Sequence, residues 1–130
     1  MTNADGTFPL QDFIGFTIEH DQGQATASVE LDERHMNPNE VTHGAIPFTL
    51  MDTAMGAAVM SVIGEQQYCA TIEMHTRFHR GSQSGRLTAT AEVVTTGRKV
   101  IHLSATTTDA DGRVVATATS SYAVIDGPAG

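Results

Sequence analysis

Cysteine is nearly absent from this sequence, because Cys69 is the only one among 130 residues. One cysteine excludes an intrachain disulfide framework and favours a reducing compartment. No Lys or Arg precedes Arg34 and no apolar signal-peptide segment opens the chain, so we expect no secretion signal. The longest apolar run, residues 45–62, is interrupted by Thr and Asp and falls short of the ~20 residues that cross a bilayer. We therefore predict a cytoplasmic protein without a membrane segment.

Basic residues are also few, since seven Lys and Arg stand against 15 Asp and Glu, for a net charge of −8. A field of this sign repels a phosphate backbone and predicts that the protein does not bind nucleic acid. The charge is uneven, because residues 1–40 carry eight acidic side chains and one basic side chain. Two interpretations of the later basic residues remain open: solubilising charge, or a patch that binds a small polyanion such as a nucleotide-bearing cofactor.

Residues 42–62 form the one segment that is predicted to be a long helix. Most of its side chains are apolar or small, which is typical of a helix enclosed by the rest of a fold. Pro47 falls in the first turn, where its missing N–H costs no hydrogen bond. The exceptions recur at spacings of three and four residues and form one narrow stripe: Thr49, Asp52, Thr53 and Gly56. A buried carboxylate is costly unless it is paired, so Asp52 is the first candidate functional residue.

The remainder of the chain alternates with the period of two that is typical of β-strands. Residues 13–31 predict a hairpin with its turn at residues 21–24, and four further strands are expected after Gly64. In the first of these four, Thr71 alternates onto the same face as Glu73. The connections are too short for crossover helices, so the sheet is mainly antiparallel.

The order of the elements predicts an α+β fold in which a curved, mainly antiparallel sheet wraps around one long central helix. A chain of 130 residues suits a single core, so residues 1–130 are expected to form one domain. Residues 1–12 show little periodicity and are expected to be a loose N-terminal lead.

Three segments of the chain resemble the hotdog-fold acyl-CoA thioesterases of the phenylacetic-acid-degradation (PaaI-like) branch. They read HMNPNEVTHGAIPFTLMDTAMGAA, TIEMHTRFHRGSQSGRLTATAEVVTTGRK and DADGRVVATATSSYAV. The resemblance covers residues 12–126 and implies the hotdog fold. The chain departs from the family pattern in having Glu40 where Gly is usual, Ala45 in place of the second Gly of His-Gly-Gly, and Gly81 in place of Pro.

The resemblance also implies roles for particular residues. Asp52 would be the catalytic carboxylate, acting as general base or as nucleophile, and the backbone N–H of Gly44 would polarise the thioester carbonyl. Asn37 and His43 would shape the carbonyl site, and Thr71 would hold the attacking water. A helix N-terminus has unpaired N–H groups and partial positive charge, which independently suits the role of Gly44. The implied reaction hydrolyses an acyl- or aroyl-CoA thioester, with CoA as part of the substrate and with no cofactor and no metal.

Several of these residues also have structural interpretations. Asp52 can be a buried side chain satisfied by a neighbouring threonine, and His43 can orient the loop instead of touching substrate. Cys69 has no adjacent base and is expected to be a packed thiol. His75 and His79 share a strand face but lack a third ligand at metal-site spacing, so a solvated face is expected there.

Two other functions remain as alternatives to the thioesterase. One is a non-catalytic acyl-CoA-binding hotdog protein, although the chain leaves no room for an output domain. The other is a hotdog enoyl-CoA hydratase or dehydratase, which is disfavoured because neither the His-Phe-Pro-Gly loop nor the Asp-x-Asn-x-x-His run of those enzymes occurs. Arg80, Arg98 and Lys99 are the first candidates to bind the phosphates of CoA.

The spacing of Gly44 and Asp52 predicts a site shared between subunits. Eight residues of helix separate them, which is ~12 Å along the axis, so one thioester carbon cannot meet both within one chain. The resemblance implies a homodimer, further assembled as a homotetramer. We therefore predict that Asn37, His43 and Gly44 come from one chain and that Asp52 and Thr71 come from the other.

Overall fold

The computed structural model describes residues 8–127 of the chain. The elements in chain order are α1 (Pro9–Ile14), β1 (Thr17–Asp21), β2 (Gln24–Glu30), a 3₁₀ turn (Glu33–His35), α2 (Ala45–Met60), β3 (Gln67–Phe78), β4 (Arg86–Thr96), β5 (Val100–Thr108) and β6 (Val114–Asp126). The six strands form one antiparallel sheet in the order β1-β2-β4-β5-β6-β3. The predicted fold class, one curved sheet around one long helix, is confirmed.

Helix α2 packs against the inner face of this sheet through its apolar side. The buried residues of the helix are Ile46, Pro47, Leu50, Met51, Ala54, Met55, Ala58 and Val59. Several strands present buried alanines to the core, and these are Ala25, Ala27, Ala89, Ala91, Ala105, Ala116 and Ala118. Small side chains let the helix lie close to the strands, while each fully buried Leu or Met contributes about 1.5–3 kcal/mol.

One side of α2 remains partly open in the single chain. The predicted stripe of Thr49, Asp52, Thr53 and Gly56 is half-buried. The helix is therefore enclosed only in part along this stripe, although Thr71 and Tyr122 of the sheet contact Asp52 there. The helix also begins at Ala45 instead of residue 42, since the backbone N–H of Thr42 donates to the carbonyl of Ser82 at 2.9 Å.

The N-terminal segment contains more regular secondary structure than its sequence predicted. Residues 9–12, expected to be a loose lead, belong to helix α1, and residues 1–7 lie outside the described part of the chain. Pro9 opens the helix and Gly15 closes it at φ 90°, a left-handed conformation that suits glycine. The Phe8 and Phe16 rings pack edge to face at 5.6 Å. The first strand consequently begins at Thr17 instead of residue 13.

The pairing of β3 with β6 contains a register shift between Thr71 and Glu73. An extra residue of this kind is a β-bulge, which redirects side chains and commonly lies beside functional sites. Within residues 8–127, no helix has the length and apolar character needed to cross a bilayer.

Candidate active site

The carboxylate of Asp52 is held by two hydroxyl groups from the sheet. Thr71 Oγ1 donates to Asp52 Oδ1 at 2.9 Å, and the Tyr122 hydroxyl donates to the same oxygen. The Tyr122 oxygen also lies 2.7 Å from the backbone carbonyl oxygen of Asp52. Among residues 8–127, no donor contacts Asp52 Oδ2. One carboxylate oxygen is therefore used to fix the orientation of the group, and the other is free of protein donors.

Tyr122 was not identified from the sequence as a site residue. Its ring is buried, at 2% exposure, and its position on β6 places it opposite Thr71. Burial, followed by the negative charge of Asp52, raises the pKa of Tyr122 above its ordinary value, so the hydroxyl remains a proton donor at neutral pH. The only sequence signal was one aromatic side chain in a strand of Ala, Ser, Thr and Val, which alone indicates packing and not chemistry.

The bulge in β3 explains how Thr71 reaches the helix. The sequence predicted that Thr71 and Glu73 share a strand face, and this prediction is wrong. Thr71 pairs with Tyr122 and bonds to Asp52, whereas Glu73 pairs with Ser121 and accepts a hydrogen bond from its hydroxyl at 2.7 Å. The extra residue, Ile72, allows both side chains to find partners on opposite faces of the sheet.

Asp52 borders a cavity of about 200 Å³ between α2, β1 and β3, here called the Asp52 cavity. The cavity combines an apolar wall with the polar cluster described above. Its apolar lining includes Phe8, Ile18, Ala57, Met60 and Cys69. Burial raises the pKa of the Cys69 thiol, and Sγ lies 3.8 Å from the carbonyl oxygen of Gly56. The predicted packed thiol is confirmed.

A second cavity, of about 350 Å³, lies at the N-terminus of α2 and is here called the Gly44 cavity. Gly44, Phe78 and Arg80 are among its lining residues. In the described part of the chain, the Gly44 N–H has no hydrogen-bond acceptor. A Cβ added at Gly44 would lie 3.3 Å from Phe78 Cε1, tighter than most packed contacts, so this position favours glycine.

The loop before α2 presents the Gly44 amide through its own hydrogen bonds. His43 Nδ1 accepts a hydrogen bond from the Ala45 N–H at 2.9 Å. Asn37 Oδ1 accepts from the N–H groups of Asn39 at 2.9 Å and Val41 at 3.3 Å. Asn37 and His43 therefore organise the loop around Gly44, which is the structural interpretation given above for His43, and their roles at the carbonyl site stay predictions.

Two further residues of this loop, His35 and Glu40, have structural features that the sequence did not predict. His35 is buried, and its imidazole accepts from the Asp32 N–H at 3.0 Å while Nε2 lies 2.8 Å from the carbonyl oxygen of Ile14. This contact ties α1 to the loop. Glu40, which stands where the resembling family usually has Gly, has a φ of 62° in the left-handed region.

The chain brings the predicted site residues together in two groups instead of one. Asp52 and Thr71 meet at the Asp52 cavity, whereas Asn37, His43 and Gly44 lie at the start of the same helix. The eight-residue helical separation places the two groups ~12 Å apart along the axis.

The three predicted phosphate-binding cations also lie apart. Arg80 borders the Gly44 cavity, and its backbone N–H donates to the carbonyl oxygen of Val115 at 3.3 Å. Arg98 and Lys99 lie in the exposed β4–β5 turn, where the Lys99 carbonyl accepts from Val124. Val115 and Val124 lie at opposite ends of β6, ~30 Å apart, so one chain does not gather these cations. Within residues 8–127, no group of three His, Cys, Asp or Glu side chains has the arrangement of a metal site.

Comparison with known proteins identifies the family of this chain. A family model described as the thioesterase superfamily matches residues 39–116, which include the Gly44 loop, α2 and β3. The chain belongs to the thioesterase superfamily. It is accordingly a thioester hydrolase with the hotdog fold.

Particular relatives of this thioesterase-superfamily chain support the same conclusion. It is 32% identical over 98 residues to PA1618 of Pseudomonas aeruginosa, a protein named as an esterase, which covers 74% of this chain and 68% of PA1618. The crystal structure of a mutant thioesterase PA1618 matches with a TM-score of 0.84 at 28% identity, over 90% of this chain and 86% of that chain. A thioesterase family protein from Silicibacter pomeroyi matches with a TM-score of 0.86 at 27% identity, over 92% and 91% of the two chains.

Proposed function

We propose that this protein is an acyl-CoA thioesterase of the PaaI-like branch, which hydrolyses an acyl- or aroyl-CoA to the free acid and CoA. The observation that carries the proposal is the half-buried Asp52 carboxylate beside an apolar cavity, with Oδ1 fixed by two hydroxyls and Oδ2 without a donor among residues 8–127. Membership of the thioesterase superfamily supports the reaction class. The single cysteine agrees with a reducing, cytoplasmic location.

The roles of the residues follow from their donors and acceptors. The thioester carbonyl oxygen accepts a hydrogen bond from the Gly44 N–H, which stabilises the negative charge that develops there. The Thr71 hydroxyl donates its one proton to Asp52 and keeps lone pairs that can accept. A water can therefore donate to Thr71 Oγ1 and to Asp52 Oδ2. If Asp52 is the base, it takes a proton from this water, the water oxygen attacks the acyl carbon, and the C–S bond breaks to release CoA.

A nucleophilic route uses the same free oxygen. Asp52 Oδ2 then attacks the acyl carbon, CoA leaves, and water hydrolyses the resulting anhydride. A single turnover in ¹⁸O-labelled water can identify this route. Attack of water on the Asp52 side of the anhydride leaves label in the protein, whereas the general-base route, like attack of water on the acyl side of the anhydride, places the label only in the product acid.

The proposed active centre lies between two copies of the chain. Asn37, His43 and Gly44 from one subunit serve the carbonyl, and Asp52 and Thr71 from the other serve the water. The ~12 Å between Gly44 and Asp52 within one helix supports this arrangement, because a reacting group must lie within ~3 Å of the acyl carbon. A two-fold axis then creates two equal centres in a homodimer, which we propose assembles further as a homotetramer.

The test of the proposed reaction is thiol release from a panel of acyl-CoAs by the wild-type protein and by Asp52→Asn. The amide can neither accept a proton nor attack, so we expect kcat to fall ~100-fold or more. Acyl-CoA binding, measured by calorimetry, should persist in the variant. A wild type that binds acyl-CoA without releasing thiol would indicate the non-catalytic alternative, and hydration of an enoyl-CoA would indicate the hydratase.

A further inference from the structure

Residues 35–43 form a short hairpin that leads directly into Gly44. Backbone hydrogen bonds and one β-bridge join its two arms, through the pairs His35–His43, Met36–Thr42 and Asn37–Val41. The His43 N–H donates to the His35 carbonyl oxygen at 2.9 Å. Because this bond lies one residue before Gly44, the position of the Gly44 amide depends on how the His35 end of the hairpin is held.

The first anchor of the hairpin is Thr42. It donates to the Ser82 carbonyl oxygen through its N–H at 2.9 Å and through Oγ1 at 2.7 Å. Ser82 lies in residues 79–85, which form no helix or strand and are mostly exposed. Exposed segments without regular structure open at low cost in free energy, so this anchor moves with its loop.

The second anchor is the His35 side chain, which joins the hairpin to a packed element. Its imidazole contacts Ile14, the last residue of α1. The Phe8 ring before α1 packs on Phe16, which is 2% exposed, and Gln11 Nε2 donates to the Phe16 carbonyl oxygen at 3.0 Å. The contact with Ile14 therefore connects the hairpin to the hydrophobic core, whereas the contact with Ser82 connects it to a surface loop.

Arg34, the residue before His35, contacts α1 as well. Its Nη1 donates to the Phe13 carbonyl oxygen at 3.1 Å, but the side chain is 52% exposed. Water competes for an exposed hydrogen bond and reduces its net contribution. The buried His35 is consequently the main link between the 3₁₀ turn and α1.

The two ring nitrogens of His35 have opposite roles that their partners determine. Nδ1 lies 3.0 Å from the backbone nitrogen of Asp32, whose N–H can only donate. Nε2 lies 2.8 Å from the Ile14 carbonyl oxygen, which can only accept. The Asp32 carboxylate is farther from Nδ1, at 3.5 Å, and is paired with Arg34. Nδ1 therefore carries no proton and Nε2 carries one.

We propose that His35 is a positioning residue for the thioester carbonyl site, and that its Nε2–H bond to Ile14 is the contact that fixes the Gly44 amide. The inference rests on the proposed function, because it takes Gly44 as the group that polarises the carbonyl. Within residues 8–127, His35 lines neither the Gly44 cavity nor the Asp52 cavity. It acts through the backbone bond between its carbonyl oxygen and His43.

A displaced hairpin affects the transition state more than the bound substrate. A donor stabilises a developing oxyanion only when its N–H is directed at that oxygen from about 2.7–3.1 Å. Loss of the Ile14 contact lets the hairpin shift without removing any group that touches the substrate. The expected result is a lower kcat with KM nearly unchanged, because most of the acyl-CoA is bound by other groups.

Two amide substitutions separate the two ring contacts. In His35→Asn the side-chain oxygen lies about where Nδ1 does and can accept from Asp32, but the amide is too short to reach Ile14. In His35→Gln the amide nitrogen extends as far as Nε2 and can donate to Ile14. Steady-state thiol release should show kcat ~10-fold or more lower in His35→Asn, with KM within ~twofold of wild type. His35→Gln should keep kcat within ~threefold.

The matched controls are His102→Asn and His102→Gln, which make the same changes at an exposed histidine of β5. Both should keep the wild-type kcat. Melting temperatures show that each variant folds.

Two NMR measurements do not depend on catalysis. In the wild type, the ¹⁵N chemical shifts of the His35 ring in mildly alkaline buffer should show a protonated Nε2 and an unprotonated Nδ1. The His43 amide should exchange with deuterium ~10-fold faster in His35→Asn than in His35→Gln, because its acceptor is then no longer held in place.

Three results would overturn the proposal: a wild-type His35 protonated on Nδ1, kcat losses in folded His35→Gln that equal or exceed those in His35→Asn, or equal exchange of the His43 amide in both variants. A wild type that releases no thiol from any acyl-CoA would instead refute the proposed function. The ring tautomer and the exchange of the His43 amide would then still decide whether His35 fixes the loop.

Discussion

At the residue scale, the proposed chemistry depends on the carboxylate oxygen of Asp52 that has no donor among residues 8–127. A carboxylate that accepts two hydroxyl donors on Oδ1 is restricted in rotation, so Oδ2 is presented in one direction. Pre-organised groups of this kind avoid reorientation during the reaction and lower its barrier. Tyr122 is the buried member of this pair of donors, and its hydroxyl oxygen also lies 2.7 Å from the Asp52 carbonyl oxygen.

Tyr122→Phe removes one of these donors while keeping the ring. We expect kcat to fall ~10-fold or more with KM nearly unchanged, because a hydrogen bond to a charged group is worth about 1.5–3 kcal/mol and the role proposed for this hydroxyl is to orient Asp52. Steady-state thiol release measures the effect. Tyr68→Phe removes a different tyrosine hydroxyl, on β3. This variant is the matched control and should keep the wild-type kcat. Equal losses in both variants would assign Tyr122 a packing role only.

Glu40 illustrates backbone strain at a single residue. A non-glycine side chain in the left-handed region costs roughly 1–2 kcal/mol, and Glu40 has a φ of 62°. We expect Glu40→Gly to raise the free energy of unfolding by about 1 kcal/mol, because relief of strain exceeds the entropy that glycine gains in the unfolded chain. Denaturant unfolding at fixed protein concentration measures the change. Asn39→Gly, at a neighbouring position without positive φ, should lower the same free energy instead.

At the element scale, α2 and the strands could be predicted because their residues repeat with clear periods. The apolar side of α2 and the alternating Ala and Val of the strands leave few other ways to bury a core. Asp52 could be found because a charge on such a helix is rare. The sequence thus indicated the element and the carboxylate to which we assign the proposed chemistry.

The features that sequence could not predict depend on contacts between distant segments. The bulge at Ile72 exists only relative to β6, so no local pattern shows that Thr71 turns towards Asp52. Helix α1 is short and packs through Phe8 against Phe16, which outweighs its weak periodicity. Tyr122 acquires its role from the same bulge.

The β4–β5 turn allows a test of CoA recognition. Replacing Arg98 and Lys99 by Ala, alone and with Arg80→Ala, should raise KM for acyl-CoA severalfold and reduce its dependence on salt, with kcat retained. Exposed charges that contact phosphates outside the reaction centre contribute mainly to binding and are screened by ions. Arg86→Ala, which removes an exposed arginine paired with Glu30, is the control. An unchanged KM in the triple variant would leave these cations a role in solubility only.

At the scale of the whole molecule, the site that we propose is divided into two halves within the single chain. The Gly44 cavity has the amide that can polarise a carbonyl, and the Asp52 cavity has the carboxylate that can activate water. The helix that carries both residues is rigid, so its ~12 Å separation cannot close by bending. In the symmetric dimer that we propose, each copy would supply the half that the other lacks, and one interface would complete both centres.

Subunit complementation tests this arrangement directly. Asp52→Asn and Asn37→Ala homodimers should each be nearly inactive, the first through loss of the carboxylate and the second through collapse of the loop that presents Gly44. Mixing them under conditions that exchange subunits should restore activity. In the mixed dimer, Asp52 of one parent meets the intact Asn37 loop of the other, so one of the two centres contains no substitution. At complete exchange half of the dimers are mixed, and we expect roughly a quarter of wild-type thiol release.

Differently tagged parents allow the exchange itself to be measured. Exchange without recovery would refute the shared site, because a centre built within one chain carries a substitution in every subunit of that mixture.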